Sequence, residues 1–306
     1  MADCSALEAE GFIASLPRPG DFDKARENVE HFVAHHAKEG NKLAFVTSGG
    51  TMVPLEMNTV RYLDNFSTGS RGAISAEQFI SNGLCSDIPP QILLLVTLSQ
   101  NIDSTQTDLL EVSPSGDVVM TTREAIKPVL SKYKIVLSCN KLLLIGYSSL
   151  FDYVHYLQLI TKLVNNINSI VFLAAAVSDY YIPPEDMSEH KISSPSLKLE
   201  LQKVPKLLGI VNNDWGPLAY VVSFKLETDS AVLSERARNA LRHYGHQLVI
   251  ANTLSTRKSQ VLIIERDKEE VSIVLSPEEA EKGGVIEEKL VGQVCKRHGI
   301  YINGLG

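Results

Sequence analysis

Residues 42–51 read KLAFVTSGGT, a short apolar strand that runs directly into a glycine-rich loop. A second stretch, VRYLDNFSTGSRG at residues 60–72, places small residues immediately before a helical pattern over residues 70–81. Small residues at a helix start let backbone N–H groups and hydroxyls face a phosphate at the positive end of the helix dipole. The spacing is not G-x-G-x-x-G, so the loops alone favour a phosphate site no more than an ordinary helix N-cap.

Predicted strands and helices alternate along the rest of the chain. Near-continuous apolar segments predict buried strands at residues 169–177, 218–224 and 246–252, residues 141–147 form a further candidate strand, and an alternating segment predicts a one-sided strand at 197–201. Helical patterns occupy residues 21–38, 148–166, 204–211, 230–245 and 283–299. This order indicates a three-layer, Rossmann-like α/β fold, a mostly parallel sheet with helices on both faces. We expect an N-terminal helical segment at residues 1–40, one domain at 41–306, and a β-hairpin at 261–275.

The composition is that of a globular chain of 306 residues, 44% hydrophobic and 21% charged. The net charge of −7 and the pI near 5.7 argue against a nucleic-acid-binding face. Cys4, Cys85, Cys139 and Cys295 are scattered, which argues against a zinc site or disulfides and suits a reducing compartment. No apolar run reaches the ~18 residues of a membrane span, and the acidic start is unlike a signal peptide. We expect a soluble protein of the cytosol or nucleus, with no nucleic-acid or membrane partner.

Several polar and aromatic residues fall where an open parallel sheet binds its ligand, beyond the carboxyl ends of the strands. Asp179, Phe224 and Asn252 follow or end predicted strands, where they can contact a nucleotide. Their simpler explanations are a cap, core packing and a turn. Asn65 can orient an intermediate through its amide, or merely form an Asx-turn. Lys191 lies on a polar, proline-containing loop with few apolar anchors, where it can close over a phosphate or simply be solvated.

Five strings occur in order along the chain: VTSGGTMVPLEMNTVRYLDNFSTGSRGA, FLAAAVSDYYIPPEDMSEHKI, VPKLL, SFKLETD and VIAN. Together they resemble phosphopantothenoylcysteine synthetase, also called phosphopantothenate–cysteine ligase, in its monofunctional eukaryotic branch. The resemblance implies a ligase of coenzyme A synthesis. Such an enzyme transfers a nucleotidyl group to the carboxylate of 4′-phosphopantothenate and then joins the acyl group to the amine of L-cysteine. It further implies ATP as the nucleotide (CTP in bacterial relatives), Mg²⁺ on the triphosphate, and a homodimer.

The resemblance also gives the candidate residues their roles. Asn65 matches the asparagine that handles the acyl-nucleotide, and Lys191 matches the lysine on the loop that closes over the phosphates, so we expect both to be catalytic. The implied nucleotide-contacting positions are Gly49, Gly50, Ser67, Gly69, Gly72, Ala175, Ala176, Asp179, Phe224 and Asn252. No metal ligand from the protein is implied. The hairpin at residues 261–275 is our candidate for dimer contacts, because it lies outside the alternation of strands and helices.

One segment departs from the family pattern. The family continues after the helix at residues 70–81 with a strand and a basic loop, whereas residues 84–104 read LCSDIPPQILLLVTLSQNIDS, with no Arg or Lys between Gly83 and Arg123. A sheet strand beside the first glycine loop is therefore expected to be missing or replaced. Two alternatives to an active ligase stay open: a non-catalytic isoform or paralogue that binds a partner, and, less favoured, a dinucleotide-dependent oxidoreductase.

Overall fold

The computed structural model describes residues 6–81, 91–97, 110–112, 118–120, 134–193 and 196–305. The strands are β1 (Leu43–Ser48), β2 (Met52–Pro54), β3 (Tyr62–Asp64), β4 (Gln91–Thr97), β5 (Leu110–Val112), β6 (Val118–Met120), β7 (Leu142–Tyr147), β8 (Ser169–Leu173), β9 (Tyr180–Tyr181), β10 (Gln202–Lys203), β11 (Tyr220–Glu227), β12 (Leu248–Thr253), β13 (Gln260–Glu265) and β14 (Val271–Val274). The helices are α1 (Ala6–Ser15), α2 (Phe22–Lys38), α3 (Ser70–Ser81), α4 (Leu150–Leu163), α5 (Leu208–Ile210), α6 (Leu233–Tyr244), α7 (Pro277–Glu281) and α8 (Ile286–Leu305), with a 3-10 turn at Pro184–Asp186 and a π-helical turn at Val211–Trp215.

An eight-stranded sheet lies at the centre, in the order β14-β13-β12-β11-β8-β1-β4-β7. The strands from β12 to β7 are parallel, and β13 and β14 add an antiparallel hairpin at one edge. The strand order reverses between β1 and β8: from β1 the chain builds outward through β4 and β7, and from β8 it builds the other way through β11 and β12. Open α/β sheets bind ligands at such a reversal. The predicted mostly parallel, Rossmann-like sheet is confirmed.

Helices cover both faces of this sheet, as predicted. One buried cluster joins α1, α2 and α4 to side chains such as Phe45 of β1, and a second places α3 and α8 over the opposite side chains, such as Phe172 of β8. Local signals explain the ends of two helices. Ser149 caps α4 through a capping box with Asp152, and Gly245 ends α6 in the left-handed conformation with φ 76°.

The N-terminal helices are fastened to α4. Phe22 stacks on Tyr156 with ring centroids 5.7 Å apart, and the Tyr156 hydroxyl donates to Asp21 Oδ1 at 2.6 Å. Side chains of α1 and α2 belong to the same buried cluster as those of β1 and β7. Within the described ranges, no helix is both long and apolar enough to cross a membrane.

Three sequence predictions need correction. The strand expected at residues 169–177 ends at Leu173, because the residues beyond it bond to the first glycine loop instead of to the sheet. Residues 197–201 form no strand; Leu197 and Leu199 are exposed, and the short strand β10 follows them, paired with β9. The helix expected at 204–211 begins only at Leu208; the segment before it follows β10, and its Val204 N–H donates to the Asp179 carbonyl.

Of the two outcomes expected after α3, a missing or a replaced strand, the structure shows a strand that the atypical segment itself supplies. β4 lies between β1 and β7 and pairs in parallel with both, from Leu43↔Gln91 to Thr97↔Tyr147. The sheet beside the first glycine loop is therefore continuous. The remainder of the atypical segment, at residues 84–90 and 98–104, lies outside the described residues.

Candidate active site

The two glycine-rich loops contact each other at the reversal between β1 and β8. Gly50 approaches the second loop so closely that a Cβ there would lie 2.0 Å from the Asn65 carbonyl oxygen and 3.3 Å from the Ser67 amide nitrogen. The Asn65 N–H donates to the Thr51 carbonyl at 3.1 Å. Glycine alone fits this approach, so the first loop fixes the position of the Asn65 backbone.

The first turn of α3 rests on the end of β1 through two more glycines. A Cβ on Gly72 would lie 2.5 Å from Ser48 Cβ. Gly69, at φ +72°, accepts at its carbonyl from Ser48 Oγ at 2.7 Å, and its N–H donates to the Ser67 hydroxyl at 3.3 Å. The N-terminus of α3, whose first N–H groups have no partner within the helix, therefore lies beside the carboxyl end of β1. A phosphate suits this arrangement of donors.

The chain beyond β8 runs alongside the first loop. The Ala176 N–H donates to the Gly49 carbonyl at 2.8 Å, and the Thr51 N–H donates to the Ala176 carbonyl at 3.1 Å. The Ala175 N–H donates to Thr47 Oγ1 at 3.1 Å. Three chain segments thus converge on one edge of the sheet, and they contain eight of the predicted residues. These are Gly49, Gly50, Asn65, Ser67, Gly69, Gly72, Ala175 and Ala176.

Phe224 and Asn252 lie farther along the same edge. Phe224 packs edge to face against Phe172, with ring centroids 5.1 Å apart, in the buried cluster under α3. Asn252 is 7% exposed on the neighbouring strand and pairs in register with Leu226. Because side chains alternate across a strand, Phe224 and Asn252 both face the α3 side of the sheet. Core packing is therefore at least part of the role of Phe224.

Asp179 and Lys191 lie outside this contact network. Asp179 forms an ion pair with Lys206, Oδ1 to Nζ 2.5 Å, and joins β9 to the chain after β10. Lys191 is exposed, and among the described residues no acidic side chain pairs with its ammonium. The structure gives no hydrogen bond from either side chain to the glycine loops over the described ranges.

The loop that carries Lys191 has more anchors than its sequence predicts. We call residues 187–193 the strap. The Met57 and Asn58 N–H groups donate to the carbonyls of Ser188 and Glu189, both at 3.0 Å. The polar composition of the loop concealed these bonds, because they are made by the backbone and require no particular side chain.

Sequence reasoning also missed a clamp on α3. Arg71 Nη1 donates to Glu287 Oε1 of α8 at 2.7 Å, and Nη2 donates to the carbonyl of Arg257 in the loop after β12. A signal was present: an arginine in the first turn of a helix is disfavoured by the helix dipole unless it has another role.

A second missed feature is the fully buried hydroxyls of Thr47 and Thr51, which bond to backbone N–H groups beyond β8.

One cavity of the protein lies beside the candidate site, and another does not. A cavity of about 300 Å³ lies beside Asn252 and is lined partly by the hydroxyl residues Thr253, Ser255 and Thr256. A larger groove of about 890 Å³ lies between β14 and α8, but none of the predicted site residues lines it. Over the residues that the structure describes, no group of three or more His, Cys, Asp or Glu is arranged to hold a metal ion.

Known proteins are similar to this chain in both sequence and fold. A family described as the DNA/pantothenate metabolism flavoprotein C-terminal domain matches residues 155–293. Two proteins named phosphopantothenate–cysteine ligase, from Homo sapiens and Mus musculus, are 39% and 38% identical to this chain, over 95% of it and 97% of each relative. A solved Cab2 mutant in complex with phosphopantothenate-cysteine matches at a TM-score of 0.85 and 33% identity, covering 96% of this chain and 99% of the other. Because sequence and fold agree over nearly the whole length, this chain belongs to the phosphopantothenate–cysteine ligase family.

Proposed function

We propose that this protein joins 4′-phosphopantothenate to L-cysteine in coenzyme A synthesis, through an acyl-nucleotide intermediate formed with ATP. The observation that carries the proposal is the direct contact between the Gly50 loop and the segment from Asn65 to Ser67 at the reversal of strand order. This contact places the backbone of Asn65 next to the start of α3, where N–H groups suit a phosphate. A nucleotide phosphate and an activated acid could use that combination of a helix start and a nearby side-chain amide.

In the first step a carboxylate oxygen of phosphopantothenate attacks the α-phosphorus of ATP. The bond from that phosphorus to its bridging oxygen breaks, and pyrophosphate leaves. Negative charge builds on the phosphates, so N–H donors at the start of α3 and the ammonium of Lys191 would supply most of the stabilisation. Phe224 and Asn252 would flank the base, and Ala175, Ala176 and Asp179 would contact the nucleotide from the β8 side.

In the second step the amine nitrogen of cysteine attacks the acyl carbon. The bond to the phosphate oxygen breaks, AMP leaves with that electron pair, and the amine loses a proton. The Asn65 side chain can donate to one oxygen of the intermediate and accept from the amine. Its backbone is fixed by Gly50 and Thr51, so only the side-chain rotamer of the amide has to be set when the substrates bind.

Mg²⁺, when bound, would shield the charge of the triphosphate. In the described part of the chain the Asp179 carboxylate is paired with Lys206, and no cluster of metal-binding side chains occurs. The donor set therefore fits an ion carried by the phosphate oxygens rather than by the protein.

We also propose that the protein is a homodimer of the cytosol. Two surfaces are candidates for the contact between its subunits. Tyr62 and Phe66 are 53% and 84% exposed around the second glycine loop, and Tyr180 is 52% exposed on β9. The hairpin at residues 261–275 buries Val261 and Ile263 against its own sheet and exposes two valines but no aromatic side chain, with Val271 38% and Val274 52% exposed. Exposed aromatic side chains are typical of interfaces, which favours the surface around Phe66 over the hairpin. Light scattering on the purified protein measures the mass.

The test is a reconstituted assay with phosphopantothenate, cysteine and either ATP or CTP. We expect pyrophosphate release that requires phosphopantothenate, amide formation that also requires cysteine, and faster turnover with ATP than with CTP. The continuous sheet through β4 removes one reason for the non-catalytic alternative, but the segment between Gly83 and Arg123 still lacks basic residues. A folded dimer that releases no pyrophosphate with either nucleotide would support that alternative.

A further inference from the structure

A fully buried carboxylate lies between the segments that carry Asn65 and Lys191. Glu56 begins the turn after β2 and is 0% exposed. Its Oε1 accepts from Arg61 Nε at 2.9 Å, and its Oε2 accepts from the Arg61 N–H at 3.2 Å and the Val60 N–H at 3.4 Å. A buried charge is tolerated when it is both paired and hydrogen-bonded, and Glu56 satisfies both conditions.

The same ion pair reaches across to the strap. The Ile192 N–H donates to Glu56 Oε1 at 3.4 Å, and Arg61 Nη2 donates to the Ile192 carbonyl at 2.9 Å. Both backbone groups of the residue that follows Lys191 are therefore bound by Glu56 and Arg61. Burial raises the pKa of Glu56, but the hydrogen bonds from Arg61 and from backbone N–H groups outweigh it and hold the pKa below its usual range. The carboxylate is charged at neutral pH.

Asn65 is held by different contacts. Its N–H bonds to the Thr51 carbonyl, and its backbone packs against Gly50. Neither contact involves Glu56. A change at Glu56 should therefore release the strap while leaving the Asn65 backbone in place, which separates the two candidate catalytic residues experimentally.

We propose that Glu56 is a positioning residue for Lys191. Through Arg61 and the Ile192 backbone it holds the strap against the turn at residues 56–61, so that the Lys191 ammonium is placed for the first step of the reaction. This inference rests on the proposed function, and Glu56 itself touches no substrate. A long, flexible lysine side chain gains most from such an arrangement, because its own rotamers do not fix where its charge lies.

The test is Glu56→Gln, which keeps the shape of the side chain and removes its charge. Formation of the acyl-nucleotide should slow by about 10- to 100-fold, whereas the reaction of pre-formed acyl-nucleotide with cysteine should stay within about threefold of native. Amide hydrogen exchange at Met57, Asn58 and Ile192 should accelerate by about tenfold or more. The matched control is Glu189→Gln, which removes a 71% exposed carboxylate from the same strap and should change neither step.

A second variant keeps the inference testable if Glu56→Gln does not fold. Arg61→Lys keeps a cation beside Glu56 but removes the guanidinium nitrogen that donates to the Ile192 carbonyl, so it should reproduce the selective loss in the first step. Equal losses in both steps, or a native first step despite faster exchange at Met57 and Asn58, would overturn the positioning role. A native chain that releases no pyrophosphate overturns the proposed function as well. Native turnover combined with an unaffected Glu56→Gln overturns only the role of Glu56.

Discussion

Replacing Gly50 with alanine should damage the site without touching any side chain in it. The added methyl would lie 2.0 Å from the Asn65 carbonyl oxygen and 3.1 Å from its carbonyl carbon, whereas Cβ contacts under 3.0 Å are essentially never seen. The Gly50 loop and the Asn65 backbone must therefore separate by at least about 1 Å. Overpacking of this kind costs about 1–3 kcal/mol of folding free energy. A displacement of that size in a catalytic group costs about 100-fold in rate, equivalent to about 2.7 kcal/mol of activation free energy.

Two measurements separate these effects in the Gly50→Ala protein. Urea unfolding at neutral pH gives the loss of stability, and the reaction of pre-formed acyl-nucleotide with cysteine gives the loss in the second step. Gly299→Ala is the matched control: its methyl meets nothing within 4 Å in α8, so it should raise stability by about 0.5–1 kcal/mol and leave turnover native. A Gly50→Ala protein with native stability and a native second step would refute the reasoning from loop contact.

Three further changes test other parts of the structure. Lys191→Gln should slow acyl-nucleotide formation by about 10- to 100-fold, and pre-formed acyl-nucleotide should rescue it; unaltered first-step kinetics would remove this lysine from the site. Asn65→Ala should accumulate acyl-nucleotide from labelled ATP without releasing product, whereas product at the native rate would contradict its role. Burial lowers the pKa of His246 and of His298 to about 4. As the pH falls below 6.5, the unfolded chain takes up these protons first, so unfolding should cost up to about 3 kcal/mol less per imidazole by pH 4. His246→Asn should reduce the loss measured by urea unfolding between pH 7 and pH 4, and an equal loss in both proteins would count against buried neutral imidazoles.

The features that were best predicted from the sequence are those determined by residues close together in the chain. The ends of α4 and α6 at Ser149 and Gly245 follow from short-range rules, and the buried strands predicted at residues 218–224 and 246–252 are confirmed as β11 and β12. The prediction of a strand at residues 197–201 was wrong, and Leu197 and Leu199 are exposed. An alternating pattern alone does not supply a neighbouring strand with which the segment can pair. The early end of β8 depends on bonds from Ala176 to another loop, which no local pattern contains.

In the candidate site, too, some features follow from local sequence and others depend on contacts between distant parts of the chain. Glycines just before a helix or in its first turn are visible in the sequence, so Gly69 and Gly72 could be predicted, although their contacts with Ser48 could not. The pairing of Glu56 with the strap joins residues 136 positions apart, from Oε1 to the Ile192 N–H. From the sequence alone, an acidic residue such as Glu56 is predicted to lie on the surface, because the partners that allow its burial are not apparent. The roles assigned to Asn65 and Lys191 remain predictions that mutagenesis must test.

The clamp on α3 has a consequence for the order in which the protein matures during synthesis. Arg71 and Glu287 are 216 residues apart, and the loop that accepts the other half of the guanidinium lies 186 residues after Arg71. At a translation speed of about 5–20 residues per second, roughly 10–40 s pass between their appearances. During that interval a nascent chain already contains both glycine loops but lacks the pairing that secures the start of α3 to α8. Ribosome-bound chains halted before Glu287 should therefore bind nucleotide more weakly than released chains, so nucleotide retention would report that α8 has been made and has packed against α3.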